Sequence, residues 1–183
     1  KQLIIPSKAL NEFIKKISML EENEEKIVLY TEKTKLIIKT EKTMTITSLL
    51  VGMYPKYNQL IPQESPKNAI VNVEQLYSAI GRVSIMVNDK TSILKLNFED
   101  NQLLLSADTP DQGKSEECIA AEYTSEPLTI AFNYKFLLDV LDVLKNMSCE
   151  NVKIGLNSSL TATTIRPQNE EDFVCLVMPV QIR

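Results

Sequence analysis

Residues 129–147, "TIAFNYKFLLDVLDVLKNM", hold two kinds of element in one run. The first residues read as a short strand. Behind Asn133, Phe136, Leu137, Val140, Leu141 and Leu144 then fall on one face of a helix. Asn is a residue type that caps helix N-termini, because its side-chain oxygen accepts a bond from an orphaned backbone N–H. The same order recurs at 70–87, "IVNVEQLYSAIGRVSIMV", where Val73, Leu76, Ile80 and Val83 make the stripe. There Asn72 and Gln75 resemble a capping box, and Gly81 is a weak point in mid-helix. It recurs once more at 4–20, "IIPSKALNEFIKKISML", with Leu10, Phe13, Ile14 and Ile17 on one face and Ser7 as the expected N-cap.

Strand signals follow each helix. After the first come "KIVLY", "KLIIKT" and "MTITSLLVG"; after the second "ILKLNF", "QLLLSAD" and "EECIAAEY", with "EDN" as a hairpin turn; after the third "VKIGL", "TATTI" and "FVCLVMPV". The unit is strand, helix, then three strands, repeating at roughly 60 residues. Between the first and second units lies "MYPKYNQLIPQESPKN", with Pro55, Pro62 and Pro66. A proline-rich stretch of this kind reads as a domain boundary. The expected division is 1–62, a single unit, and 63–183, a complete two-unit domain. A lone unit buries little and leaves an open sheet edge, so its other half must come from elsewhere.

Composition narrows the function. The 183 residues are 44% apolar and 24% charged, with a formal net charge of −4. That balance argues against binding nucleic acid by bulk charge, although a segregated basic face on an acidic body remains open. There is no histidine, which removes Ser-His and Cys-His nucleophiles and His-ligated metals. Four glycines and no phosphate-cradling glycine motif leave little room for nucleotide chemistry. Cys118, Cys149 and Cys175 are far apart, without a C-x-x-C pair, and read as reduced thiols, the last two as small core residues. The acidic run "NEEDF", with Glu170, Glu171 and Asp172, is an example of a carboxylate cluster that an enzyme reading could use; it reads more readily as a solvated hairpin turn.

Three segments, "MYPKYNQLIP" at the junction, "IAFNYKFLLDVLDVLKNMSCENVKI" in the last unit and the terminal "LVMPVQIR", resemble the bacterial DNA polymerase III beta subunit, the sliding clamp. The resemblance implies an α+β DNA-clamp fold, with helices on one face of antiparallel sheets. It implies that the chain corresponds to the second half of a middle domain and a complete third domain, without the N-terminal domain and the first half of the middle one. Full-length relatives are then expected to close head to tail as homodimers around duplex DNA. They would hold it without sequence preference and tether the polymerase III catalytic subunit, the clamp loader and other proteins bearing a clamp-binding motif. No catalysis, cofactor or metal is implied, and the location is the bacterial cytoplasm, at the nucleoid.

The resemblance also implies sites. A hydrophobic groove for partner peptides would be walled by Pro55, Leu60, Asn133, Phe136, Leu176, Met178, Pro179, Val180 and Ile182. Four positions depart from the family's usual pattern: Phe136 for Tyr, Val180 for Met, Gln181 for Arg, and the extra Arg183. DNA-facing candidates on the helices are Lys8, Lys15, Arg82, Lys135 and Lys145, with Asp139 and Asp142 opposing them on the third helix. Ile85 and Met86 are candidates for ring contacts. The competing reading is a protein-interaction module of the same repeat that encircles nothing.

Overall fold

A computed structural model describes residues 3–18, 26–88, 91–109, 113–170 and 172–181. The chain parts into two compact units, Lys1–Lys56 and Tyr57–Arg183, where the sequence reading drew its line at 62/63.

The first unit has one helix, α1 (Ser7–Ile17), and a three-stranded antiparallel sheet of β1 (Val28–Glu32), β2 (Lys35–Lys39) and β3 (Met44–Ser48) in that order. Its buried apolar residues, Leu36, Ile37 and Ile38, all lie on the central strand. α1 buries nothing: Leu10, Ile14 and Ile17 of its apolar stripe stay exposed, Ile14 at 62%. Two expectations fail here. Residues 3–6 form no strand: Ile4 O accepts an isolated bond from Leu50 N, Pro6 O accepts from the start of α1, and neither belongs to a ladder. Ser7 is not the N-cap; Pro6 occupies that position in an extended conformation without a side-chain bond, and Ser7 opens the helix.

The second unit shows the repeat twice. Its first half is β4 (Lys67–Asn72), α2 (Val73–Val83), then β5 (Ile93–Glu99), β6 (Gln102–Thr109) and β7 (Gly113–Ala120). Its second half is β8 (Leu128–Asn133), α3 (Tyr134–Asn146), then β9 (Asn151–Leu156), β10 (Thr163–Pro167) and β11 (Cys175–Val177). Both helices start as their sequence predicts: Asn72 Oδ1 accepts from Gln75 N at 3.0 Å, and Asn133 Oδ1 from Lys135 N at 3.0 Å. The helix α2 continues through Gly81 to Val83.

The two halves exchange their first strands. One sheet runs β7-β6-β5-β8 and the other β11-β10-β9-β4, all antiparallel, so each holds three strands of one half and the leading strand of the other. Alternation is strict in β5 and β6, whose Leu94, Leu96, Phe98, Leu103 and Leu105 point into one core with Val152, Ile154 and Leu156 of β9. Helix residues Leu76, Ile80, Leu137, Leu141 and Leu144 complete that core.

Single bridges link the ends of the two sheets. Past β7, Glu122 exchanges both backbone bonds with Ile70 of β4, at 3.1 and 2.9 Å. Past β11, Val180 N donates to Ala131 O of β8 at 2.7 Å. Ile70 and Ala131 are each two residues before the capping asparagine, so the crossings are equivalent under the internal repeat. The "EDN" turn supports the first of them. Asp100 and Asn101 both have positive φ, 46° and 60°, as the twist of a two-residue hairpin requires. Asn101 also accepts from Tyr123 N through its side chain and from Ala121 N through its carbonyl, fixing the chain on either side of Glu122.

Among the described residues one core group is unsatisfied. Thr163 Oγ1 is buried without a hydrogen-bond partner, beside an apolar void of about 10 Å³ bordered by Leu76, Phe98, Leu137 and Ile165. So small and apolar a space does not suit a water. Thr163→Val should therefore raise the stability by about 1 kcal/mol, since the buried hydroxyl gains nothing in return for its lost hydration. A higher urea midpoint with unchanged slope is the expected result.

Candidate functional site

The last strand is short because the chain needs to leave the sheet. β11 pairs with β10 over three residues, Thr163 with Val177, Thr164 with Leu176 and Ile165 with Cys175. Val177 is the core anchor of this strand at 4% exposure, whereas Met178, immediately after it, is 57% exposed. Pro179 brings no N–H, so the ladder cannot continue through it. Val180 then takes hold of β8 through Ala131. Met178 and Pro179 thus form an arch fixed at both ends.

That second hold brings the tail to the strand that leads into α3. Asn133 caps this helix, and Phe136 stands on its first turn, 57% exposed; α3 also packs against β11. Asn133, Phe136, Leu176, Met178, Pro179 and Val180 therefore all lie on β8, α3 and β11 or in the segment that joins β11 to β8. Leu60 follows a 3₁₀ turn at Tyr57–Gln59 and is exposed. Pro55 belongs to the first unit. Ile182 lies outside the described residues, as does Arg183. Leu160 is a further exposed apolar residue, in the turn that enters β10 at Thr163. The sequence reading missed it, although a Leu inside the polar run "NSSLTAT" was a visible signal.

The helix cations differ in their freedom. Lys8 is exposed and makes no ion pair among the described residues. Lys15 stands 3.4 Å from Glu12, a surface pair of little strength, and Lys135 lies over the Tyr134 ring at 5.9 Å. Arg82 is engaged in a fork with Glu117 of β7, with Nε 2.9 Å from one oxygen and Nη2 on the other. Lys145 is 2.9 Å from Glu74 and 4.1 Å above the Tyr77 ring, so it joins the last turn of α3 to the first turn of α2. The hydrogen bond that it donates to Glu74 raises its pKa.

Ile85 and Met86 sit in a 3₁₀ turn, Ser84–Met86, after α2, with Ile85 74% exposed. Thr109 pins that turn by donating to Met86 O at 2.7 Å. In the "NEEDF" run, Glu170 and Asp172 are exposed at a turn, and Glu171 lies outside the described residues. Cys149 and Cys175 are half-buried against the core, and burial pushes the Cys175 thiol upward. Among the described residues no three His, Cys, Asp or Glu side chains gather as a metal would need, and no helix is long and apolar enough to cross a membrane.

The Arg82–Glu117 fork has a pH signature. The hydrogen bond from Arg82 holds the Glu117 carboxyl below its ordinary value. A depressed carboxylate stabilises the fold above its unfolded pKa, about 4.3, and that contribution is lost as the pH falls through the folded value. Glu117→Gln should lower the urea midpoint at pH 7 and lose less of it than the wild type between pH 5 and pH 3.

The chain matches a family model described as the DNA polymerase III beta subunit, C-terminal domain, over residues 58–181. It is 31% identical over 181 residues to the beta sliding clamp of Synechococcus elongatus, covering 98% of this chain and 47% of that protein. With the beta sliding clamp of Vibrio cholerae it shares 28% over 182 residues, covering 100% and 48%. Among solved structures, the DNA polymerase sliding clamp from Pseudomonas aeruginosa aligns with a TM-score of 0.91 at 26% identity, over 100% of this chain and 48% of that one. The sliding clamp from Bartonella birtlesii bound to griselimycin aligns at 0.90 and 34% identity, over 98% and 47%. The chain spans about half the length of the curated relatives it matches. Its two strand-exchanged sheets with their helices are the α+β architecture of the DNA clamp. The chain belongs to the DNA polymerase III beta subunit family, the sliding clamps of bacterial DNA replication.

Proposed function

We propose that the protein serves as a processivity clamp: a non-enzymatic body that, in its full-length form, encircles duplex DNA as a head-to-tail homodimer. It acts in the bacterial cytoplasm at the nucleoid, and tethers the polymerase III catalytic subunit, the clamp loader and other proteins bearing a clamp-binding motif. The match along nearly the whole chain to beta sliding clamps supports this reading. Retention on closed circular duplex DNA, with release once the circle is cut, tests it for the full-length protein. Equal retention on circular and linear DNA would reject encirclement.

A topological tether needs only weak, sequence-neutral phosphate contacts, which Lys and Arg provide. Lys8, Lys15 and Lys135 are the cations best placed to give them. Arg82 and Lys145 would first have to leave Glu117 and Glu74. Ile85 and Met86, presented on a pinned turn, suit a contact between protomers.

The observation that carries the partner site is the arch at Met178–Pro179. An exposed, flexible thioether and a half-buried proline ring stand between two backbone anchors, beside Phe136 at the head of α3 and Leu176 at the sheet. Rigid ends with an adaptable apolar centre suit the anchors of a short linear peptide. Met178→Ala with Pro179→Ala, in the full-length protein, should weaken a clamp-binding peptide at least tenfold in a fluorescence titration while the circular dichroism stays unchanged. Unaltered affinity would remove the arch from the groove.

A further inference from the structure

The outward face of the β11-β10-β9-β4 sheet carries one row that crosses all four strands. Leu176 pairs with Thr164, Thr164 with Gly155, and Gly155 with Asn68. Side chains alternate faces along a strand, so these four point away from the core that Val152, Ile154 and Leu156 enter. Lys153, on the same face of β9 as Gly155, is exposed as expected. Gly155 and Thr164 are nevertheless buried, Thr164 at 4%.

The cover is the segment that precedes β4. Ser65 closes directly over Gly155: a Cβ at 155 would fall 2.5 Å from Ser65 Oγ and 2.9 Å from Ser65 Cβ, and against Thr164 Oγ1. Real Cβ atoms do not sit at such distances, so any larger residue at 155 displaces Ser65 or Thr164. Asn68 Nδ2 donates to Ser65 O at 2.9 Å and fastens the segment from the end of the same row. Upstream, Ile61 and Pro62 are half-buried, and Leu60 follows the 3₁₀ turn at 57–59. Beside the seat, Pro62, Gln63 and Ser65 face Lys153 and Arg166 across an open cleft of about 470 Å³. The segment therefore lies against this sheet as a strap, with Ser65 seated on Gly155 and tied to Asn68.

We propose that Gly155 is a positioning residue for the partner site: it is the notch that seats Ser65, and through it sets the strap 57–65, with Leu60 at its head, beside the wall formed by Leu176 and Met178. Gly155 is two strand spacings, about 10 Å, from Leu176 along the row. The strap and the tail thus take their places from a single line of paired residues. The inference rests on the groove reading above and adds the residue that aligns its two sides.

The test uses the whole protein with two substitutions, Gly155→Ala, which fills the notch, and Ser65→Leu, which leaves β9 untouched and makes the strap too large for it. Amide exchange and the affinity of a fluorescent clamp-binding peptide are read on each. Both variants should speed exchange over 57–65 at least tenfold, leave α2 and α3 protected as in the wild type, and weaken the peptide at least fivefold. A freed strap with wild-type affinity, or a strap whose exchange does not change, overturns the inference alone. A wild-type protein that binds no peptide overturns the groove reading and this inference with it. Should Gly155→Ala lose protection in α2 and α3, the Ser65→Leu result decides.

Discussion

Each half of Tyr57–Arg183 lends its first strand to the sheet of the other half, β4 to β9 and β8 to β5. That exchange is the constraint from which the rest follows. It forces the chain to cross between sheets after β4 and after β8, and the helix that makes each crossing is capped at its start by an asparagine. The apolar stripes of those helices then close over a core to which both sheets contribute. The crossings at Ile70–Glu122 and Ala131–Val180 complete the arrangement by satisfying main-chain groups on β4 and β8, strands that would otherwise be open edges. Among the described residues of Lys1–Lys56, where no such exchange is present, the buried apolar residues lie on the central strand, and Leu10, Ile14 and Ile17 of the helix are exposed.

The repeat was legible because it is written in local rules. Helical period, capping asparagines and the "EDN" turn each depend on residues within four positions, and all three took the form that the sequence predicted. Ser7 misled because a capping side chain is only as useful as its position, and Pro6 already held the extended place before the helix. The strand expected at 3–6 failed for a non-local reason: its residues are suitable, but a strand is defined by its partner.

The candidate site was half legible for the same reason. Its apolar residues stand out in "LVMPVQIR" and around Phe136, and proline explains why the strand stops. What makes them neighbours, the bond from Val180 to Ala131, spans residues far apart in sequence and cannot be read from spacing. The state of the cations was equally hidden. Arg82 and Glu117 are 35 positions apart, and only β7 running beside α2 turns a nominal surface arginine into one half of a fork. Gly155 lies unremarked inside the strand signal "VKIGL", and Ser65, which closes over it, is 90 positions away in sequence.

The hold on the tail is a main-chain N–H, and this sets which residues can evolve there. At 180 this bond asks for a backbone donor, and the half-buried side chain takes no part in it. Proline alone is barred. One position earlier the residue is proline, which brings no donor, and the pairing with β10 has already ended at Val177. A side chain on this tail can therefore change without the loss of its main-chain hold on β8.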